Sequence, residues 1–299
     1  MNLNQIGLIG YGEVGKTFCA GLKAKPGVTA MAAWDLKFIN AATSAAERAH
    51  AAAAGVQACD SMRALCQSAT FILSAVTASN TLSVAQEAAK HIRPGSVFLD
   101  LNSASPGTKQ QCAVAIEAAG AHYVEAGVMT SVPPYGIKVP MLLGGTKASE
   151  LAAALTAWQL DATQVSDKLG IASAIKMCRS VMIKGLEALV IESYTTARAY
   201  GVEDYVLPTL QETYPGIDWQ EQGAYLFSRV VEHGKRRAEE MREAANTVRE
   251  AGAPPLMAAA IAEKQQWVAD QAGQGVFKGI AKEARWQDYA DRLLAVKPT

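Results

Sequence analysis

The sequence is poor in the side chains that build disulfide frameworks and metal centres. Its five cysteines (Cys19, Cys59, Cys66, Cys112 and Cys178) are odd in number and widely scattered, with no C-x-x-C pair, and there are four histidines. That excludes a disulfide-stapled scaffold and a zinc knuckle, and no metal site is expected. An excess of either charge is also missing. The 28 Lys plus Arg balance 28 Asp plus Glu, so there is no basic field to hold a nucleic-acid backbone. No run approaches the ~18 apolar residues of a membrane span, and Met1-Asn2-Leu3-Asn4 carries no basic region of a secretory leader. The expected setting is the cytoplasm, with a small molecule as partner and neither nucleic acid nor membrane. Half of the 299 residues are apolar, enough for one large core or two medium ones.

Short β-like runs alternate with helix-like stretches over the first half of the chain. Ile6 to Ile9, Val28 to Trp34, Phe71 to Ala75, Val97 to Leu101, His122 to Ala126 and Val139 to Leu143 read as strands. Ala41 to Ala54 and Leu82 to His91 read as two of the helices between them. This alternation predicts βαβ units, hence an α/β Rossmann-type domain with a mainly parallel sheet. From Gly170 to Tyr200 a helical pattern runs without proline, and the remainder of the chain reads as further helices punctuated by Pro208, Pro215 and Gly252-Ala253-Pro254-Pro255. The expected organisation is a dinucleotide-binding domain over 1–166 and an all-α substrate and dimerisation domain over 167–299.

The sharpest local pattern is Gly10-Tyr11-Gly12-Glu13-Val14-Gly15, a G-x-G-x-x-G directly after a strand and opening a helix. Gly10 permits the tight turn, Gly12 lets the backbone approach a pyrophosphate, and Gly15 lets the helix lie on the strand. The helix N-terminus offers unpaired N–H groups and a positive dipole end to the anion. The next strand ends in Asp35, twenty residues after Gly15. A carboxylate there accepts hydrogen bonds from ribose hydroxyls and repels a 2′-phosphate, although a surface Asp in any turn looks the same on its own. NAD is the expected cofactor, and Lys37 leaves NADP open by offering a cation to a 2′-phosphate.

In the long helix the polar residues Lys176, Arg179, Ser180, Lys184 and Glu187 share one face. Such a stripe serves either as a solvated surface or as the wall of a site. Lys176, near the start of the helical domain, stands at the expected mouth of an interdomain cleft. A desolvated lysine there has the chemistry of a general acid/base, which alcohol dehydrogenation requires as the hydride leaves. Ser180, one turn on, is placed to orient a substrate.

A G-x-G-x-x-G domain followed by an all-helical domain opening on a lysine-bearing helix resembles the β-hydroxyacid dehydrogenase superfamily. That superfamily includes hydroxyisobutyrate, tartronate-semialdehyde and phosphogluconate dehydrogenases. Asp100-Leu101-Asn102-Ser103-Ala104-Ser105-Pro106 is similar to the family's Asp-x-Ser-Thr-x-x-Pro loop, with Ser103 as the serine that faces substrate. Val76-Thr77 falls in the nicotinamide-side loop, and Lys176 matches the family lysine. Two positions depart from the pattern. Thr130-Ser131 stand where the family has the Gly-Gly that cradles a carboxylate, and Ser180 stands where it has Asn. The resemblance thus implies an NAD(P)-dependent dehydrogenase or reductase acting on the CH–OH group of a polar hydroxy acid or polyol acid, or on its carbonyl partner. The alternatives are an imine reductase-like enzyme and a non-catalytic NAD(P) sensor.

The family places a Lys-Asp-Leu where this chain has Glu239-Glu240-Met241, so Lys235 or Arg237 is a candidate substitute within His233 to Glu240. The same run also reads as a solvated charge face with i,i+4 pairs. Trp219, Phe227, Trp267 and Trp286 give the helical half much aromatic surface to bury, and a homodimer through that half is expected.

Overall fold

The structure, a computed structural model, describes residues 1–296. Aliphatic runs bounded by turns form β1 (Gln5–Ile9), β2 (Ala30–Trp34), β3 (Gln57–Ala58), β4 (Phe71–Ser74), β5 (Val97–Asp100), β6 (His122–Val128), β7 (Met141–Gly144) and β8 (Ala162–Ser166). They make one sheet in the order β3-β2-β1-β4-β5-β6-β7-β8, parallel throughout except where β7 runs antiparallel to β6. Between the strands lie α1 (Glu13–Leu22), α2 (Ser44–Ala53), α3 (Met62–Ser68), α4 (Thr81–Ala89), α5 (Pro106–Ala118) and α6 (Ala148–Ala157). Alternate residues of each central strand enter opposite cores: Leu8, Leu73, Leu99 and Val124 on one face, Ile9, Ile72, Phe98 and Tyr123 on the other. A sheet covered on both faces reads as near-continuous apolar runs, which is why those strands were visible in the sequence.

The parallel register sets Ile9 beside Ser74, Ser74 beside Asp100, and Asp100 beside Glu125. This row marks the carboxyl ends of β1, β4 and β5, while β6 continues past it to Val128. Between β1 and β4 the strand order reverses direction, and ligands of open α/β sheets bind outside the carboxyl ends at such a switch point.

The chain divides into two compact units, Met1–Met177 and Cys178–Thr299. The last strand ends at Ser166, yet the division falls later, within α7 (Ile171–Tyr200). The first turns of that helix count with the sheet because β6 and the preceding loop hold them. The second unit continues with α8 (Glu203–Thr213), α9 (Trp219–Glu250), α10 (Leu256–Gly273) and α11 (Trp286–Leu294). Its core gathers Tyr194, Trp219, Phe227, Val230, Val268, Trp286 and Tyr289. Tyr194 meets Trp286 edge-on at 4.9 Å between centroids, and Gly223 gives them room, since a Cβ there would stand 2.7 Å from the Tyr194 ring.

Trp267, expected to be buried, is 39 % exposed and carries the Lys264 ammonium 5.1 Å from its ring centroid. Pro208, expected as a break, lies inside α8. The run from His233 to Glu240 lies within α9, which Asp218 caps by accepting from the Gln220 and Glu221 N–H groups. Among the described residues no helix is long and apolar enough to cross a membrane.

Candidate active site

At the end of β1 the chain makes a turn that only glycine tolerates. Gly10 has φ +96°, and a Cβ there would meet the Ala75 carbonyl oxygen at 2.3 Å. A Cβ on Gly15 would lie 2.0 Å from the Gly10 carbonyl oxygen, whereas nothing stands within 4 Å of the place a Gly12 Cβ would take. The turn is therefore packed where helix meets strand and open where a ligand's backbone-hugging group would come. Gly12 caps α1 without any side-chain hydrogen bond, so the helix's first N–H groups are not satisfied by a capping side chain.

Asp35 closes this turn from β2. Its Oδ2 accepts from the Tyr11 N–H at 2.6 Å and its Oδ1 from the Lys37 N–H at 2.8 Å. A carboxylate offers about four acceptor positions, so two remain for hydroxyl groups. Tyr11 contributes through its backbone. Its side chain is buried on Phe38, with the hydroxyl 3.1 Å from His50 Nδ1, and burial pushes the phenol up to about 12. Glu13 is exposed and Val14 half-buried at the head of α1. An open glycine, an uncapped helix start and a carboxylate with spare acceptor positions fit the pyrophosphate and ribose of a dinucleotide.

The loops after β4 and β5 are clasped by Asn102. Its Oδ1 accepts from the Val76 N–H at 2.6 Å, its Nδ2 donates to Ser74 Oγ at 3.0 Å, and its own N–H donates to Asp100 Oδ1 at 2.9 Å. Asp100 is fully buried. It receives the Lys109 ammonium at 2.9 Å on Oδ1 and the Tyr123 hydroxyl at 2.6 Å on Oδ2. Desolvation, reinforced by the Asp100 charge, raises the Tyr123 phenol well above its ordinary value. Thr77 is exposed and accepts from Asn80 Nδ2 at 2.7 Å. Ser103 is half-buried directly after the clasp, and past β6 Thr130 is exposed and Ser131 half-buried.

The lysine's placement follows from β6. Glu125, fully buried, accepts from the Gly170 N–H at 2.7 Å and the Ala172 N–H at 3.1 Å through Oε1. A side-chain carboxylate thus takes up the orphan N–H groups at the start of α7. Two residues on, a Cβ at Gly127 would be 2.9 Å from the Ala172 carbonyl oxygen and 3.4 Å from Lys176 Cβ. Glycine at this position lets the helix lie on the strand, and it brings half-buried Lys176 to the carboxyl edge of the sheet.

Comparison with known proteins agrees with this geometry. Residues 5–152 match the family model described as the NAD binding domain of 6-phosphogluconate dehydrogenase, and residues 197–268 match a domain of unknown function, DUF1932. A conserved hypothetical protein from Sinorhizobium meliloti is 38 % identical, with 97 % of this chain and 96 % of that one covered and a TM-score of 0.75. The chain belongs to the β-hydroxyacid dehydrogenase-like superfamily. The first unit is an NAD(P)-binding domain. Two solved structures at lower identity share the fold. Mycobacterium tuberculosis 3-hydroxyisobutyrate dehydrogenase is 16 % identical over 98 % of this chain and 100 % of its own, with TM-score 0.69. An imine reductase from Myxococcus stipitatus is 16 % identical over 97 % and 99 %, with TM-score 0.54.

In this superfamily member the polar stripe of α7 splits. Arg179 is exposed, while Ser180, Lys184 and Glu187 are buried in the helical unit. Lys184 Nζ lies 2.7 Å from Glu240 Oε2 and donates to Ser180 Oγ at 3.2 Å. Burial pulls its ammonium below the ordinary value, with Glu240 opposing. Arg237 Nε donates to Glu187 Oε2 at 2.8 Å, a second Arg237 nitrogen donates to Oε1, and Gln265 Nε2 donates to Oε2 at 3.1 Å. Of the two candidate substitutes for the family lysine, Arg237 is committed to Glu187 and Lys235 is exposed. The expected i,i+4 pair exists between Arg236 and Glu240 at 3.1 Å, but Arg237 and Glu240 make the run a buried seam rather than a solvated face.

Four residues of the site region went unselected in the sequence: Asp100, Asn102, Lys109 and Glu125. Lys109 carried a signal, since Lys109, Cys112, Ala113 and Ile116 fall at i, i+3, i+4 and i+7, and all four are buried. A lysine on an apolar stripe needs a buried acid, and Asp100 is that acid. Among the described residues no three His, Cys, Asp or Glu side chains gather as a metal-binding group.

Proposed function

We propose that this protein is an NAD-dependent oxidoreductase acting on a small polar hydroxy acid or polyol acid, or on its carbonyl partner, with Lys176 as general acid/base. The observation that carries the proposal is the seating of α7 on β6, where Gly127 admits Lys176 beside the carboxyl edge that also bears the glycine turn. Gly10, Gly12 and Gly15, with their neighbours Tyr11, Glu13 and Val14, hold the pyrophosphate. Asp35 holds the ribose, and Val76 and Thr77 border the nicotinamide. The bound nicotinamide supplies or accepts the hydride. Lys176 Nζ takes the hydroxyl proton in one direction and returns it in the other. Ser103, Thr130, Ser131 and Ser180 orient the substrate. Because the Lys184 ammonium can only donate, Ser180 Oγ accepts from it, and the Ser180 hydroxyl proton remains available to an acceptor. That favours a substrate presenting a carboxylate or carbonyl oxygen at this point.

The test is a panel of hydroxy acids and sugar acids followed at the reduced-nicotinamide absorbance band, with Lys176→Ala as the decisive variant. Turnover is expected to collapse while NADH binding survives, and turnover retained within a few-fold would remove Lys176 from the role. A second reading, reduction of an imine, is supported by the shared fold with an imine reductase, and amine substrates in the same panel separate the two. Silence across the panel with tight NADH binding would favour a sensor. A cytoplasmic homodimer completes the proposal. Five free cysteines suit a reducing compartment. Met182, Leu189 and Tyr200 expose apolar surface along one face of α7, at 74 %, 57 % and 79 %. A monomeric sedimentation profile would refute the dimer.

A further inference from the structure

Four charged side chains surround the segment after β2 where an adenosine 2′-substituent would lie. Asp35 ends the strand and Lys37 follows it. Glu47 comes from α2 and Lys16 from α1. Lys16 Nζ stands 2.7 Å from Glu47 Oε2, and Lys37 Nζ 3.9 Å from Glu47 Oε1. The lysines are partly open to solvent, at 30 % and 47 % side-chain exposure, while Glu47 is more enclosed at 18 %. Lys16 also lies 5.5 Å from the Tyr11 ring centroid, within the glycine turn itself. The hydrogen bond from Lys16 holds the Glu47 carboxyl below its usual range, so it is ionised at neutral pH. Arg48, the next residue of α2, donates from Nε to the Phe38 carbonyl oxygen at 3.0 Å, and its charge is paired with Asp60 at 2.8 Å.

The local charges therefore cancel, two lysines against two carboxylates. A cofactor bearing a 2′-phosphate needs a free cation beside its ribose. Here that cation would have to leave a carboxylate first, and the phosphate would still face both Asp35 and Glu47. We propose that Glu47 is a specificity-determining residue: by engaging Lys37 and Lys16 it withholds them from a 2′-phosphate and sets the preference for NAD(H) over NADP(H). The proposal rests on the reading of the glycine turn and Asp35 as the cofactor site. It adds a residue outside the G-x-G-x-x-G and Asp pattern that acts as a positioning group through the lysines.

Equilibrium titration of the intact protein with NADH and with NADPH tests this without any substrate. Wild type is expected to bind NADH more tightly. Glu47→Gln is expected to tighten NADPH by roughly three- to tenfold, the size of one screened charge at this range, with NADH changed by less than about twofold on the same scale. The gain should shrink at high salt and disappear when both lysines are also removed, in the Glu47→Gln/Lys16→Met/Lys37→Met variant. Glu47→Lys should move the ratio further in the same direction. A ratio unmoved by Glu47→Gln in a protein that melts like wild type overturns the proposal, as does a wild type that prefers NADPH. A gain that survives removal of both lysines also overturns the positioning role. Failure of wild type to bind either dinucleotide would instead bring down the cofactor reading itself, and the inference with it.

Discussion

Lys109→Met offers the most direct measure of what holds the site loops. The lysine and its partner Asp100 have side chains 1 % exposed each. In wild type the Lys109 ammonium is bound by Asp100 Oδ1 at 2.9 Å and by the Asp100 carbonyl oxygen at 3.0 Å. Methionine fills the same volume without charge. Asp100 would keep the Tyr123 hydroxyl and the Asn102 N–H, but its buried charge would lose its counterion. Breaking a buried pair from one side costs about 3–5 kcal/mol. For a unit of this size that corresponds to a fall in melting temperature on the order of 6–20 °C. Circular dichroism melts and urea titrations of the purified protein read the change. Removing both charges tells more. Asp100→Asn/Lys109→Met should recover part of the loss, because the double variant leaves no unpaired ion. A Lys109→Met protein that loses less than about 1 kcal/mol would refute the reasoning, since Asp100 would then be tolerating burial without its cation.

Three more outcomes are expected from other parts of the molecule. Gly10→Ala should abolish NADH binding by titration, since its Cβ would stand 2.3 Å from the Ala75 carbonyl oxygen in a backbone conformation of φ +96°; binding retained at wild-type strength would contradict the turn's role. Gly127→Ala should destabilise by about 1–3 kcal/mol in a melt, as the first turn of α7 yields to a Cβ 2.9 Å from the Ala172 carbonyl oxygen, and it should lower turnover beyond what the folded fraction explains. Arg198 donates to both Asp291 oxygens at 2.7 and 3.0 Å and to Glu203 at 2.6 Å, and these bonds hold both carboxyls below their usual range. A depressed carboxylate stabilises the fold above its unfolded pKa, and that contribution is lost as pH falls through the folded value. Acid titration should therefore erode wild-type stability from about pH 4 downward, and Arg198→Met should flatten that slope; an unchanged slope would count against the pairing.

The fold was legible where burial was complete. The central strands are covered on both faces, so β1, β4 and β5 appear as unbroken apolar runs, and the long helix announced itself by lacking proline between 171 and 200. The two unselected strands lie at the edges of the sheet. β3 has only two residues, and β8 reads Ala-Thr-Gln-Val-Ser with its middle exposed, so neither carries a hydrophobic period. The glycine turn was legible because its steric demands are local: three glycines at fixed spacing satisfy contacts made within a few residues. The charged seam of the helical unit was not. Glu187 and Arg237 are fifty residues apart, and a run such as Lys235-Arg236-Arg237-Ala238-Glu239-Glu240 is compositionally identical to a solvated face. Which of its charges turn inward depends on where the acids of α7 fall, and that is decided by helix packing. Gly234 belongs to the same packing, since a Cβ there would stand 2.9 Å from the Gln265 carbonyl oxygen.

The carboxyl edge of the sheet explains how these parts act together. Apolar cores fill both faces, yet the ends of β4 and β5 turn polar at Ser74 and Asp100, with Glu125 beside them in β6, all of them fully buried. Buried polar groups hold where they are bonded: Ser74 Oγ accepts from Asn102 Nδ2, Asp100 accepts from the Asn102 N–H, Lys109 and Tyr123, and Glu125 Oε1 accepts from the Gly170 and Ala172 N–H groups. Ser74 and Asp100 tie the loops after β4 and β5 through Asn102, and Glu125 ties the start of α7. The segments carrying Val76, Ser103 and Lys176 are thus fixed by directional bonds, which preorganises them as a proton-transfer site requires. Thr130 and Ser131 follow β6 beyond the last of these ties, and Thr130 is exposed. In the proposed reading, substrate preference should therefore respond most to substitutions at 130 and 131, and substitutions along the tied row should reduce activity toward every substrate alike.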